Sequence, residues 1–357
     1  MAEFFRIVLM ILIWIIATVL TIAFFFLLFS MITEYKPEPE ELLQTKGNSA
    51  DEKISDSILT LMTWNTGYAC MGAEANFFYD GGTMMRPEKV LHEKYLRNIQ
   101  NTIKSESAAD FILLQEIDKK ARRSYFSNQT EVLIKTLSGH NAVFAVNYDV
   151  MFVPVPFSNP MGKVLAGLMS FSKYEPKTSN RISFSKNYPW PLRLFNLKRC
   201  FILQRFQLNN GFELVILNTH NSAFDDGYLR ISQISELRSI AITEYDKGNY
   251  VIIGGDWNIN PPGFDPNQIS NGDLAVKKDI GSIPEDFMPV GWKWVFDPKI
   301  PTNRYVDTAY RKKQTPTTII DFFLVSPNIQ LISSATSDLQ FSDSDHNPLI
   351  IKIKMIN

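Results

Sequence analysis

Five short polar clusters each follow a hydrophobic, strand-like run: TWN at 63–65, LLQE at 113–116, NTH at 218–220, GDWN at 255–258 and SDHNP at 344–348. An apolar strand can be buried along its length, but a carboxylate, amide or imidazole at its end has to find a partner or solvent. A chain built this way is constrained to gather its strand ends at one rim of a sheet. Groups of these types converging at one rim can hold a divalent cation and a phosphate.

The apolar or alternating runs at 58–64, 111–114, 142–146, 164–171, 201–206, 213–217, 250–253, 319–325 and 349–353 are bounded by Gly, Pro, Asn or Asp and read as strands. Two helical patterns lie between them. Residues 88–103 place Leu91, Tyr95, Ile99 and Ile103 on one face, and residues 227–245 do so with Ile231, Ile234, Leu237, Ala241 and Tyr245. Asp226 is the expected cap of the second helix and Gly248 its stop. Hairpin-like strands with a few crossover helices indicate mixed sheets covered by helices, not a regular βαβ winding.

Residues 7–32 contain no charged side chain. At ~1.5 Å per residue such a run exceeds the ~30 Å hydrocarbon thickness of a bilayer. It is longer than the ~7–15-residue core of a secretory signal and has no small-residue cleavage site after Phe29, Ser30, Met31 and Ile32. Residues 1–33 therefore read as an uncleaved transmembrane anchor. Arg6 on the short side, against an acidic flank on the other, favours an N-terminus inside and the remainder of the chain outside the cytoplasm. Residues 34–57, with Pro37 and Pro39, read as a polar linker with a reach of ~25–30 Å, leaving 58–357 as one large domain. Cys70 and Cys200 are expected as two buried thiols. A net charge of −1 lacks the basic footprint of a protein that grips duplex nucleic acid without sequence preference.

In their order and spread the five clusters resemble the motifs of the endonuclease/exonuclease/phosphatase superfamily, whose best-known fold is that of deoxyribonuclease I. The resemblance covers roughly residues 58–355. It implies an α/β four-layer sandwich of two mixed β-sheets flanked by helices, here preceded by one transmembrane helix, with the active site at one end. It implies a Mg²⁺-dependent phosphoric ester hydrolase, with Mn²⁺ as a substitute. By the same resemblance Glu116 is the principal metal ligand, with Asn65 and Asp345 beside it. Asp256 orients or activates the attacking water, Asn258 binds a phosphate oxygen, and His220 and His346 face the phosphate. Gly67 stands where some relatives have an acidic residue, which favours one firmly bound metal. Asp321 is a carboxylate inside an apolar strand and needs a partner, for which His346 is the natural candidate.

Three further segments bear on the substrate. Residues 76–86 (NFFYDGGTMMR) form a loop whose Arg86 is a candidate substrate contact; FF-x-DGG insertions of this kind resemble those of bacterial membrane-associated family members. Between Lys163 and Arg205 stand Lys163, Lys173, Lys177, Arg181, Lys186, Arg193, Lys198, Arg199 and Arg205 against one acidic residue, Glu175. Such a segment could attract nucleic-acid phosphates or anionic headgroups, or could be scattered over both faces of strands. PTNR at 301–304 brings a second candidate contact, Arg304. The expected substrate is a phosphodiester or phosphomonoester, such as a lipid headgroup, met at the membrane to which the N-terminal helix ties the chain. The alternatives are a membrane-tethered nuclease and a non-catalytic phospho-ligand or protein-binding module, although no protein partner can be inferred.

Overall fold

A computed structural model describes residues 1–47, 54–223, 227–269 and 280–356. In chain order its elements are α1 (Ala2–Ile32), β1 (Glu40–Leu42), β2 (Ile58–Asn65), α2 (Lys89–Ser105), β3 (Phe111–Asp118), α3 (Gln129–Thr136), β4 (Asn141–Val153) and β5 (Gly162–Ser172). They continue with β6 (Thr178–Ser183), β7 (Cys200–Gln207), β8 (Glu213–His220), α4 (Tyr228–Asp246), β9 (Tyr250–Asp256), β10 (Lys293–Val295), β11 (Asn303–Arg304), β12 (Thr317–Thr318), β13 (Asp321–Val325), β14 (Ile329–Thr336) and β15 (Leu349–Met355).

Two mixed sheets pack face to face. One has six strands in the order β14-β15-β2-β3-β5-β4, and the other seven in the order β1-β6-β7-β8-β9-β13-β10. In each, one central pair is parallel, β2 with β3 and β8 with β9, and every other pairing is antiparallel. Each parallel pair needs a crossover, and α2 and α4 supply them. Alternation decides the layers. In β2, Leu59 and Leu61 face the second sheet, where Leu217, Ile253 and Phe323 meet them, while Met62 and Trp64 face α2 through Tyr95, Ile99 and Ile103. On the far side Ile234, Leu237 and Ala241 of α4 cover the second sheet.

The expected fold class is the observed one, and every expected strand is present with shifted ends. The helical face expected for residues 227–245 is rotated: Ile231 is exposed, and the buried row runs through Arg230, Gln233, Ile234, Leu237, Ala241 and Glu244. The polar members bury because they are bonded: Gln233 to Ser222 and Arg230 to the Asn258 carbonyl, in the loops after the strand-end clusters, and Glu244 to Arg205 of β7. Asp226, the expected cap, lies outside the described residues, and the cap position before α4 is Gly227 in the left-handed conformation (φ 92°). Gly248 does end the helix, donating its N–H to the Tyr245 carbonyl. Both cysteines are free and buried.

The segment expected as a polar linker lies along the sandwich. Its strand β1 pairs with β6, Lys46 bridges to Ala142, and Ile54 bridges to Leu208. Just after α1, buried Glu34 bonds Lys198 at 2.8 Å and Arg193 at 3.3 Å. Within the remainder of this segment, residues 48–53 lie outside the described structure. The basic stretch is likewise largely consumed internally: Lys163 pairs with Asp149, Lys177 with Glu213, Arg205 with Glu213 and Glu244, and Arg181 is buried. Its excess of charge does not make an exposed basic patch, because the partners come from elsewhere in the chain.

Candidate active site

The topology brings the polar clusters together. Asn65 and Glu116 close the parallel pair β2/β3, and His220 and Asp256 close the parallel pair β8/β9, so all four sit at carboxyl ends of central strands. The antiparallel neighbour β13 starts at the same end, where its first residue Asp321 is in register with Asp256. His220, Asp256 and Asp321 thus form one row across three strands. The antiparallel neighbour of β2 is β15, and Asp345 and His346 lie in the loop that enters it.

Other members of the clusters are structural. Gln115 donates to Asn218 at 2.7 Å across the interface of the two sheets, and Asn218 donates in turn to the Leu114 and Met169 carbonyls and to Ser170. This buried bridge ties the sheets together directly behind the site. Trp64 donates to the His346 carbonyl at 2.9 Å and so fixes the loop that carries the histidine. Trp257, between Asp256 and Asn258, turns away from them, stacks on Phe322 at 5.0 Å and donates to its carbonyl.

The hydrogen bonds impose an order on these groups. Asn65 donates from Nδ2 to Asp256 Oδ2 at 2.9 Å, while its Oδ1 accepts from the Gly67 N–H. Asp256 Oδ1 accepts from the Asn258 N–H at 2.9 Å. His220 Nε2 lies 3.4 Å from Asp256 and 3.8 Å from Glu116. His346 Nδ1 bonds Asp321 Oδ2 at 2.7 Å, the pairing expected from the buried carboxylate, and the Asn303 amide lies 3.0 Å from its Nε2. Glu116 and Asn258 both hold positive φ, 61° and 53°, in side-chain-bearing residues that rarely adopt it. At Glu116 the strain sits where the pairing of β3 with β5 shifts register, which turns the carboxylate out of the ladder.

Electrostatics separate the two histidines. For His346 burial opposes a charge, but Asp321 and Asp345 outweigh it and push the imidazole up to about 10, so it is an imidazolium at neutral pH. For His220 burial, then Arg199 and His346, hold the ring well below its ordinary value, so it is neutral. Burial and the charge of Asp345 push Glu116 up to about 8; burial and the charge of Asp321 push Asp256 up to about 6. Asp345 is raised too, chiefly by burial.

Glu116 and Asp345 are oxygen donors whose raised carboxyls mark a shortage of positive charge, and this chemistry fits a hard divalent cation. Gly67 confirms how close the loops come: a Cβ there would stand 2.7 Å from Asp345 Oδ1, and φ is +54°. The position that is acidic in some relatives therefore has no room for a side chain in this arrangement. A second group, Asp256, Asp321 and His346, has ligand atoms within 4.8 Å of one another. There His346 Nδ1 is engaged with Asp321, whose charge raises the imidazole and makes the group an ion-paired cluster.

These residues line a cavity of about 370 Å³. Besides the polar groups, Tyr68, Tyr148, Met161, Tyr188, Leu192 and Leu197 line it. Two expected contacts change role. Arg86 does not line the cavity: its guanidinium stacks on Tyr125 at 4.1 Å and donates to the Arg122 carbonyl. Arg304 does line it, but its Nη atoms donate to the carbonyls of Gly72, Tyr305 and Thr308, which makes it a strut for the surrounding loops. A cation that sequence reasoning counted only as part of the basic stretch, and not as a site residue, is Arg199. It is buried in the cavity wall, donates from Nη1 to the His220 carbonyl at 3.3 Å, and has no ion-pair partner among the described residues. Its position immediately before the apolar strand β7 was the available signal, and the surrounding basic stretch obscured it.

Two mixed sheets packed face to face, with acid, amide and imidazole groups converging at one end, define the deoxyribonuclease I-like class of fold. Residues 62–346 match the model of the endonuclease/exonuclease/phosphatase family, and the chain belongs to that family. Its members are phosphoester hydrolases. Among curated proteins none matches the sequence. Among solved structures, an endonuclease/exonuclease/phosphatase from Beutenbergia cavernae is similar at 16% identity and a TM-score of 0.56, over 84% of this chain and 72% of that one. ANGEL2, a 2′,3′-cyclic phosphatase in complex with adenosine-2′,3′-vanadate, is similar at 15% identity and a TM-score of 0.56, over 88% of this chain and 98% of that one. TDP2 from D. rerio, complexed with a single-strand DNA product, is similar at 14% identity and a TM-score of 0.51, over 84% and 100%.

Proposed function

We propose that this chain is a divalent-metal-dependent phosphoesterase that hydrolyses a phosphodiester or phosphomonoester at a membrane surface. The observation that carries the reading is the convergence of two carboxyl groups raised by burial, Glu116 and Asp345, with an imidazolium, His346, and a neutral imidazole, His220, around one cavity. Glu116 and Asp345, with the Asn65 amide alongside, would hold Mg²⁺ or Mn²⁺, which when bound neutralises charge on the phosphoryl oxygens.

The remaining work falls to the chain's own groups. Asp256 is an anion above a pH of about 6, oriented by Asn65 and the Asn258 N–H, and accepts the proton of the attacking water. His346 presents a charged donor to the phosphoryl oxygens and is kept protonated by Asp321. His220 adds a neutral donor, and Arg199 behind it adds positive charge. Asn258 sits beside the same phosphate, its amide steadied by the Asn221 carbonyl.

A cavity of about 370 Å³ suits a headgroup or a nucleotide-sized ester. The pairing of the basic stretch removes the electrostatic footprint that a polymer-gripping nuclease would use. The test is hydrolysis of bis(p-nitrophenyl) phosphate and p-nitrophenyl phosphate by the full chain in detergent. Activity should vanish in EDTA, return with Mg²⁺ or Mn²⁺, and be lost in Glu116→Gln. Full turnover in EDTA would refute the proposal.

A further inference from the structure

Helix α1 is long and apolar enough to cross a membrane, and its described window is free of burial in the domain. Its last turns are a different matter. Phe26 stacks on Phe195 at 5.6 Å with rings 6° apart and meets Phe152 edge-on at 6.1 Å. Ser30 is buried, and Phe29 and Thr33 border the small crevice between the helix and Val150, Phe152 and Leu194. Glu34 then locks the exit of the helix to Arg193 and Lys198. Helix and domain are therefore joined by packing at one defined face, and not by a free tether.

Where that face lies relative to a bilayer follows from lengths. Residues 7–25 alone span about 28 Å as a helix, nearly the ~30 Å of the hydrocarbon. Phe26 and what it touches then fall at the interface. The segments it touches carry exposed apolar side chains: Phe157 (87% exposed) in the turn after β4, and Trp190 (55%) and Leu192 (54%) in the loop before β7. Aromatic side chains of this kind favour the headgroup boundary. The same loop also walls the catalytic cavity through Tyr188, Leu192 and Leu197. One loop thus contacts the anchor, carries the exposed Trp190 and walls the cavity.

Resting on the hydrolase reading above, we infer that the rim formed by Phe157, Trp190 and Leu192 docks into the bilayer that α1 crosses, and that the cavity receives a phosphoester carried by a lipid of the adjoining leaflet. The tyrosine, methionine and leucine side chains of the lining then take the glycerol or sphingoid part of the lipid, and the acid, amide and imidazole groups its phosphate. Commitment to lipid over a protein partner comes from α1, which holds this rim at the membrane whatever else is present.

The test uses the full chain in phosphatidylcholine nanodiscs. In a Trp14→Phe background Trp190 is the strongly exposed tryptophan, since Trp64 and Trp257 are buried and Trp292 and Trp294 partly so. Replacing the lipid by its acyl-brominated form should remove a portion of the emission that is missing altogether in Trp14→Phe/Trp190→Phe. Separately, Phe157→Ser/Trp190→Ser should hydrolyse soluble bis(p-nitrophenyl) phosphate at the wild-type rate. The same variant should lose severalfold on nanodiscs containing sphingomyelin, phosphatidylglycerol or phosphatidic acid, whichever the wild type accepts. Equal Trp190 emission in brominated and unbrominated bilayers overturns the docking face. Turnover of the soluble ester or of single-stranded DNA, with none of any lipid, overturns the lipid substrate. Inactivity on every ester together with Trp190 quenching would fell the hydrolase reading while upholding the docked rim.

Discussion

Asp321→Asn isolates the electrostatic device at the centre of the site. Asp321 is fully buried, one oxygen bonds His346 at 2.7 Å, and the other has no hydrogen-bond partner among the described residues. The rise of His346 from 6.5 to about 10 corresponds to roughly 5 kcal/mol of preference for the imidazolium, net of burial. Asp321 is the leading carboxylate behind it, so removing its charge should return the ring to its ordinary value or below. An asparagine amide facing Nδ1 would also favour the wrong tautomer. A lost charged donor to the phosphoryl oxygens costs about 3–4 kcal/mol of transition-state stabilisation, or roughly 100- to 1000-fold in kcat. The fold should survive, since the side chain keeps its size and a buried anion with one unpartnered oxygen disappears. Asp256 feels two changes of opposite sign: losing the charge of Asp321 lowers its carboxyl and losing the imidazolium of His346 raises it, while burial, the largest cause of its rise, remains, so the acid limb of the residual activity should stay near pH 6. The assay is a kcat–pH profile on bis(p-nitrophenyl) phosphate together with ¹⁵N shifts of the labelled histidines, of which the chain has only 4. An unchanged kcat, or a His346 ring still doubly protonated at pH 8, would refute the reasoning.

Gly67→Ala should lower thermal stability by about 1–3 kcal/mol and weaken Mg²⁺ binding. Its Cβ would meet Asp345 Oδ1 at 2.7 Å and Met71 Cβ at 2.8 Å on a backbone with φ +54°, and metal titrations of the folded variant read the second effect. Arg199→Gln should raise the pKa of His220 without restoring it to 6.5, because burial is the larger cause, and should reduce kcat about tenfold through loss of about 1.4 kcal/mol of charge stabilisation. Histidine ¹⁵N shifts and initial rates check both, and an unmoved His220 would show that the two groups do not interact.

The fold was legible because its strands alternate and end in turn residues, and because the polar clusters could be read as strand ends. What escaped were elements whose identity depends on partners. Thr178–Ser183 and Ile329–Thr336 are polar enough to pass for loops, and they are strands because β7 and β15 offer them ladders. The stretch at 34–57 has a linker's composition, yet Glu34 and β1 tie it down through groups far along the chain. Arg86 and Arg304 illustrate the same limit: sequence located them near the site loops but could not show that Tyr125 and a set of backbone carbonyls already engage their guanidiniums.

The histidines carry this argument furthest. His220 and His346 are the same residue type, are both buried, and both lie beside Asp256, at 3.4 Å and 3.9 Å. Desolvation alone would leave both neutral. They differ because β13 begins with a carboxylate in register with Asp256 and that carboxylate reaches only His346, whereas the cation behind His220 is Arg199. A one-residue slip of β13 would turn Asp321 to the other face and remove the distinction. The register of a central strand, more than the presence of either histidine, therefore decides which imidazole carries the charge. It also explains why an otherwise apolar strand retains an acid at its first position.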